Sequence, residues 1–432
     1  MRFTHPDGTA VHLAYCTNVH PLAEDPDELT AQVCRFGAAV RARLGVSRLG
    51  LGLWLPAPAA ARLAAGPAAA ERLRAALDRH GLETVTLNAF PYRNFHAPVV
   101  KKAVYHPDWT TAERLAYTLD CARVLSRLLP PDAARGSVST VPLAWREPWD
   151  GGRRAAALDR LHRLAEGLAG LAAETGRTVR VGLEPEPGCT VETVAEAVEQ
   201  LGGPGGVDTE RIGICLDACH LAVAFEEPAA ALDRLAAAGL PVVKTQASAA
   251  LHAAAPGDPA TRAALSRYTE DRFLHQVRER SPQAGGRVRR RDDLPGALHG
   301  PPPPAAATGT GASAAGTGTA TATAAGPGPG PDGPLPGNGP WRVHFHVPVH
   351  QRPEPPLEAT QDHLESTLRA LFAGPAPLTD HVEAETYTWS VLPESRRPDG
   401  DAALAAGLAA ELRWTAGALR RAGLTPAEEA TP

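Results

Sequence analysis

The sequence predicts an α/β protein of the (β/α)8 barrel class, and three observations carry that expectation. Short apolar runs rich in β-branched residues alternate with long Ala/Leu/Arg/Glu segments of helical period, as repeated βα units on a parallel sheet require. Several of the strand runs carry polar residues on one face near their C-terminal ends, where barrels of this class place their chemistry. A chain of 432 residues with 44% hydrophobic content suits one barrel with insertions.

Taken in order, the strand candidates are 11–18, 47–55, 83–90, 136–143, 178–186, 211–218, 241–248, 342–349 and 381–389. Amphipathic segments at 113–128, 153–175, 190–201 and 228–238 supply helices between them, and 400–422 supplies a last one. Nine candidates compete for the eight places of the barrel, so either 241–248 (PVVKTQAS) or 342–349 (RVHFHVPV) is an accessory strand in an expanded loop near the mouth. Spacing does not choose between them. Residues 281–340 break the rhythm with an Arg-rich turn and then a Pro/Gly/Ala/Thr-rich run that has no apolar periodicity and almost no charge. Such a run cannot offset its ordering entropy by burial, so disorder is expected there, on the catalytic side of the barrel. The resulting organisation is a first barrel part (1–280), the insertion (281–340), a last barrel part (341–398) and a C-terminal helix and tail (399–432).

A formal net charge of −5 and no basic block longer than RVRRRDD leave no electrostatic footprint for nucleic acid. Six scattered cysteines without a CxxC pair point to a reducing compartment. The N-terminus lacks the charged head and apolar run of a signal peptide, and no apolar stretch reaches the roughly 20 residues of a membrane span. A cytoplasmic protein handling a small polar metabolite, without membrane insertion, is the expectation.

Strand parity locates the chemistry. Gly182, Glu184 and Glu186 oppose Val181 and Leu183; Gly213, Cys215 and Asp217 oppose Ile212, Ile214 and Leu216. His344 and His346 oppose Val343, Phe345 and Val347, and Glu383 with Glu385 opposes Val382 and Ala384. Carboxylates and imidazoles converging in a barrel mouth repel one another and resist desolvation unless a divalent cation or a substrate sits among them. Two or three carboxylates with a histidine suit Mn2+, Mg2+, Co2+ or Zn2+. Cys219, between Asp217 and His220, is better explained as a space-filling thiol than as a nucleophile, and the YTEDRFLHQVR stretch around His275 reads as a helix, either a lid over the mouth or an ordinary amphipathic one.

With LEPEPG, LDACH, the HFHV strand and the terminal EAETYTW in this order, the chain resembles the xylose-isomerase-like barrels, which include sugar epimerases and endonuclease-IV-like hydrolases. YCTNVHP, FPYRNFH, VKKAVYHPDW, VKTQAS, RFLHQV, WRVHFHVP and VEAETYTWSVLP make it more narrowly similar to the ebo-cluster metabolite traffic family (EboE type). The resemblance implies metal ligands at Glu184, Asp217 and Glu385, with Glu383 as the rival of the last, and catalytic proton exchange by Glu184 and Glu385. His220 of the D-x-x-H motif would bind substrate, or a second metal in a hydrolase. If HFHVPVHQRPEP holds the histidine segment, His346 is the fourth ligand and Arg352 a substrate anchor; if PVVKTQAS does, Lys244 and Gln246 occupy that position. Glu186 and His20 complete the candidate substrate contacts.

Three functions follow as expectations: a metal-dependent isomerase or epimerase, a metal-dependent hydrolase of a small phosphoester with further ligands such as His20, His96 or His350, and a non-catalytic carrier with partners in a metabolite export pathway.

Overall fold

The computed structural model describes residues 1–281, 287–299 and 333–427. Eight parallel strands close on themselves: Ala10–Cys16, Leu49–Trp54, Leu82–Asn88, Gly136–Thr140, Val179–Leu183, Ile212–Asp217, Val242–Ala247 and His381–Ala384, the last pairing in parallel with the first. The barrel thus takes 242–247 as its seventh strand. Helices follow the strands on the outside, among them Pro26–Leu44, Ala112–Leu128, Gly151–Thr175, Pro228–Ala237, Gln361–Phe372 and Gly400–Arg421. Their limits are written locally. The Asp25 side chain accepts from the amides of Asp27 and Glu28 ahead of Pro26, and Gly45 ends that helix at φ 71°, a left-handed conformation open to glycine at little cost. No described helix is long and apolar enough to cross a membrane.

Outward-facing Leu13, Leu51, Leu87, Val138, Val181, Ile214 and Val382 are buried against the helices. The inward face departs from the branched aliphatics usual in such barrels. Near the bottom, the Ser137 hydroxyl meets His381 Nδ1 at 2.7 Å and donates to Thr86 Oγ1 at 2.9 Å. One layer higher, Lys244 pairs with Glu383, both side chains fully buried. Gly52 makes room for this pair, since a Cβ there would lie 1.7 Å from Glu383 Oε1. Period two places Gln246 above Lys244 and Glu385 above Glu383, and in the strand register Gln246 pairs with Asp217 on one side and Glu383 on the other.

The candidate strand at 342–349 lies outside the barrel. Trp341–His346 is the central member of a five-stranded antiparallel sheet, flanked by Val277–Arg280 and Ala250–Ala253 and completed by Val288–Arg291 and Glu358–Ala359. The whole sheet is inserted between the seventh barrel strand and its helix Gln361–Phe372. The region expected to be structureless is partly ordered: Val288–Arg291 pairs with Val277–Arg280, and Leu294–His299 is helical. Sequence composition averaged this short ordered hairpin into its Pro/Gly-rich neighbour. The remainder of the expected insertion, 282–286 and 300–332, lies outside the described residues. The stretch around His275 is not a helix; irregular chain leads into strand Val277–Arg280.

The Leu335 amide donates to Ala297 O at 3.0 Å, so the chain on either side of 300–332 is already held together. Replacing 301–332 by a short Gly/Ser linker should leave the thermal midpoint and metal affinity unchanged; a fall of more than about 5 °C, several times the roughly 1–2 °C that a 1 kcal/mol loss gives in a chain of this length, would assign that segment a structural role. The interior ion pair makes the opposite expectation. Glu383→Gln leaves the Lys244 charge buried without its counter-charge and should cost about 3 kcal/mol in chemical denaturation, whereas the double change Lys244→Met/Glu383→Leu should recover much of it. A single variant as stable as the parent would refute this.

Candidate metal centre

Three carboxylates meet at the C-terminal mouth. Glu184 follows the fifth barrel strand, Asp217 ends the sixth and Glu385 follows the eighth; one oxygen of each lies within 4.8 Å of the others, and all three are buried. Local structure explains the D-x-x-H spacing. Asp217 caps the short helix Ala218–Val223, its Oδ1 accepting from the His220 amide at 2.9 Å and from Ser248 Oγ at 2.8 Å. That leaves Asp217 Oδ2 buried and without a partner, as is Glu184 Oε2. Glu385 Oε1 is held by the side-chain amides of Asn18 (2.7 Å) and Asn88 (2.9 Å).

His346 joins this cluster from the inserted sheet. A register irregularity between Val343 and His346 carries the strand end over the mouth. Its Nδ1 lies 2.7 Å from the backbone carbonyl of Glu385, so Nδ1 carries the proton and Nε2 is a bare acceptor. That Nε2 is buried, unpartnered and 3.9 Å from Asp217 Oδ2. Burial pushes the imidazole down to about 4, so it stays neutral. Three orphaned buried atoms, on Glu184, Asp217 and His346, therefore sit at the mouth with Glu385: the three carboxylates meet one another, and His346 Nε2 reaches them through Asp217. This is the donor set of a divalent cation, and the residues present fit one.

The charge balance argues the same way. Burial, and then the proximity of Glu385 and Asp217, holds Glu184 well above the usual carboxylate range. Burial, with Asp217 and Glu383, does the same to Glu385. Among the described residues no lysine or arginine contacts any of the three; their nearest basic neighbours are the imidazoles of His220 and His346.

A second cluster lies beside the first: Glu186, His220 and His344. Its protons are assigned by elimination. The Tyr105 hydroxyl donates to Glu186 Oε1 (2.8 Å) and so must accept from Gln276 Nε2 (2.8 Å). Gln276 Oε1 then faces His344 Nδ1 (2.7 Å), which carries the proton, while His220 Nδ1 donates to Pro185 O (2.8 Å). The two Nε2 lone pairs are left facing each other at 2.9 Å, with Glu186 Oε2 3.2 Å from that of His220. Burial pushes Glu186 up to about 7 and His344 well below the ordinary imidazole value.

Other expected site residues are not brought here. Arg352 is exposed, its carbonyl held by Arg396, because the segment after His346 turns away from the mouth. His20 is buried against Phe36, ring centroids 4.0 Å apart, behind the first strand. Lys244 is committed to Glu383 one layer down and cannot touch a ligand in the mouth. Gln246 lies beside Asp217 in register, and both of its amide atoms lack partners. His96 is occupied by Asn18 O, and His350 stacks on Trp389, so neither joins a cluster. Cys219 is fully buried with its thiol pushed well up by burial, which disfavours the thiolate a nucleophile needs; its sulfur lies within 4.8 Å of a ring nitrogen of His344 and of His346. Asn18, Tyr105, Gln276 and His344 gave no strong sequence signal as site residues; parity had placed His344 on the face of His346, and no more.

The sign of the pH dependence follows. In the metal-free folded chain Glu184 and Glu385 keep protons that the unfolded chain releases above its ordinary value of 4.5, so their contribution to stability is lost as pH rises toward their folded values. The depressed His346 acts in the opposite sense, but its contribution is complete above 6.5. Cation binding displaces the carboxyl protons, so the rise in thermal midpoint on adding Mn2+ or Zn2+ should grow between pH 6.5 and 8.5. His346→Ala should weaken that binding by at least about a hundred-fold, beyond the loss of a merely supporting group. A cation effect that shrinks with pH, or an alanine variant of unchanged affinity, would overturn the assignment.

One family model agrees with the fold. No curated protein matches the chain in sequence. Among solved structures, an L-ribulose 3-epimerase is 13% identical with 95% of each chain covered and a TM-score of 0.45. A D-allulose 3-epimerase from Methylomonas sp. is 16% identical over 57% of this chain and 75% of that one (TM-score 0.36), and an AP endonuclease, family 2, from Brucella melitensis 16% over 55% and 78% (0.34). The model of one family, described as xylose isomerase-like TIM barrel, matches residues 42–263, just over half of the chain. This chain belongs to the xylose isomerase-like TIM barrel family.

Proposed function

We propose that the protein is a divalent-metal-dependent isomerase or epimerase of a small polyhydroxy or carbonyl metabolite. The observation that carries this reading is the meeting of the buried Glu184, Asp217 and Glu385 carboxylates at the mouth, with unpartnered atoms on Glu184 and Asp217 and the unpartnered His346 Nε2 facing Asp217. A divalent cation held by these four residues would polarise adjacent substrate oxygens and acidify the carbon-bound proton between them. Glu184 and Glu385 sit on different strands facing one substrate space, so one carboxylate takes that proton and the other, protonated, returns one to the carbon or its neighbour. Asn18 and Asn88 orient Glu385 by donating to its Oε1 and leave the other oxygen for this exchange. His220 and Glu186, which face the same pocket, would bind substrate oxygens.

The ebo-type motifs support a substrate that is an intermediate passed on in a biosynthetic or export pathway, with partners in that traffic. A hydrolase reading is favoured by one observation, the opposed lone pairs of His220 and His344 beside Glu186, which suit a second cation. Further ligands would then come from that cluster and not from His20, His96 or His350.

The test is solvent exchange. Metal-loaded protein incubated in D2O with a panel of ketoses and aldoses should place deuterium on the carbon beside the carbonyl. Glu184→Gln and Glu385→Gln should each abolish this, by at least about a hundred-fold, while Asp217→Asn should act through lost metal. Release of inorganic phosphate from phosphoesters without carbon exchange would favour the hydrolase, and tight metabolite binding with neither reaction would mark a carrier.

A further inference from the structure

The mouth opens into a pocket of about 510 Å³, its opening included, whose floor and walls differ in chemistry. The floor is the acidic and imidazole cluster. The walls are apolar: Phe90, Phe95, Val104, Phe273, Leu274 and Tyr387. Three of these rings form one corner, with centroids 5.0 Å apart for Phe95 and Phe273, 4.9 Å for Phe273 and Tyr387, and 5.6 Å for Phe95 and Tyr387. Such a corner offers faces and edges to a flat apolar group.

Among the described residues the lining contains one fixed cation, Lys101, and it is spent. Its three N–H groups go to Glu270 O (3.0 Å), Phe273 O (2.8 Å) and Asp293 Oδ2 (2.7 Å), which use all the donors an ammonium has and neutralise its charge. Among the described residues no arginine lines the pocket. A phosphate group entering here would find no free cationic side chain among the described residues, and around any cation held at the floor it would face the carboxylates of Glu184, Glu186 and Glu385.

We infer that the substrate is a neutral amphiphile, with a vicinal diol or hydroxy-carbonyl group at the carboxylate floor and an apolar, ring-sized group against the Phe95–Phe273–Tyr387 corner, and that phosphate esters are excluded. The inference rests on the proposed metal-dependent reading of the floor and names its substrate class. Burial of one ring in the corner is worth about ten-fold or more in affinity over the same head group without it.

Three probes share one diol head and differ in the tail: 1-phenyl-1,2-ethanediol, glycerol and glycerol 3-phosphate. Each is titrated into the full chain, loaded with Mn2+ or stripped of metal, with binding read from the relaxation of ligand protons in NMR. The expected result is metal-dependent binding of the phenyl diol at least about ten-fold tighter than glycerol, with glycerol 3-phosphate no tighter than glycerol. Phe273→Ala, or Phe95→Leu should the first variant fold poorly, should erase the phenyl advantage and leave glycerol affinity in place. Metal-dependent binding that is equal for phenyl diol and glycerol, or tightest for the phosphate, overturns the inference while the metal-dependent reading stands. Binding of the phenyl diol that is unchanged on metal removal, or no binding of any probe, overturns both.

Discussion

Burying Glu184, Asp217 and Glu385 together is the constraint on which the rest of the structure depends. Three carboxylates withdrawn from water at one point are tolerated only if protons or a cation compensate them. Among the described residues lysine and arginine stay out of contact with them, which leaves the candidate ligand atoms free. Compensation from the protein comes from one layer below, where the Lys244 ammonium lowers the cost of charge on both Glu184 and Glu385 without reaching either. Glu383 in turn holds Lys244 charged, and Gly52 exists as a glycine because that pair needs its space. The polar interior of the barrel is thus a support for its mouth.

This arrangement explains why the histidine comes from outside the barrel. With the seventh strand given over to Lys244 and Gln246, an imidazole for the cluster has to arrive by another route. The inserted sheet supplies it: Trp341–His346 ends over the mouth and places His346 Nε2 toward Asp217 Oδ2. The same insertion delivers His344, Gln276 and the wall residues Phe273 and Leu274, so one excursion of the chain builds both the far side of the ligand set and the cover of the pocket.

How much of this was legible in the sequence depends on how local each cause is. The alternation of Gly182, Glu184 and Glu186 against Val181 and Leu183, and the cap geometry in LDACH, are properties of a few adjacent residues, and both read through directly. The barrel class was legible for the same reason, since each βα unit carries its own periodicity. The choice between 241–248 and 342–349 was not, because it turns on which strands pair across more than a hundred residues, and both segments have strand character. Arg352 and His20 looked suitable by type and proximity in the chain, yet a turn after His346 exposes the first and stacking on Phe36 removes the second. The Tyr105–Gln276–His344 relay was invisible, since each member is a lone polar residue until the fold joins them.

A ligand set drawn from two sheets requires that the sheets not drift, and the C-terminal helix Gly400–Arg421 provides the brace. Glu411 on that helix is fully enclosed, yet its carboxylate accepts from the Val349 amide (3.0 Å), Thr386 Oγ1 (2.6 Å) and Trp389 Nε1 (3.0 Å). Val349 follows His346 by three residues, and Thr386 is the neighbour of Glu385. Thr388 adds a bond from its hydroxyl to the carbonyl of His346, and His346 Nδ1 closes the loop on the Glu385 carbonyl. The segment bearing the histidine and the segment bearing the last glutamate are therefore tied to each other and to one buried carboxylate. Burial lifts that carboxylate to about 7, and its three donors oppose the rise. An acidic residue so deep in a helix interface is poorly explained by packing. It is well explained as the group that fixes the separation of His346 and Glu385, on which a shared cation would depend.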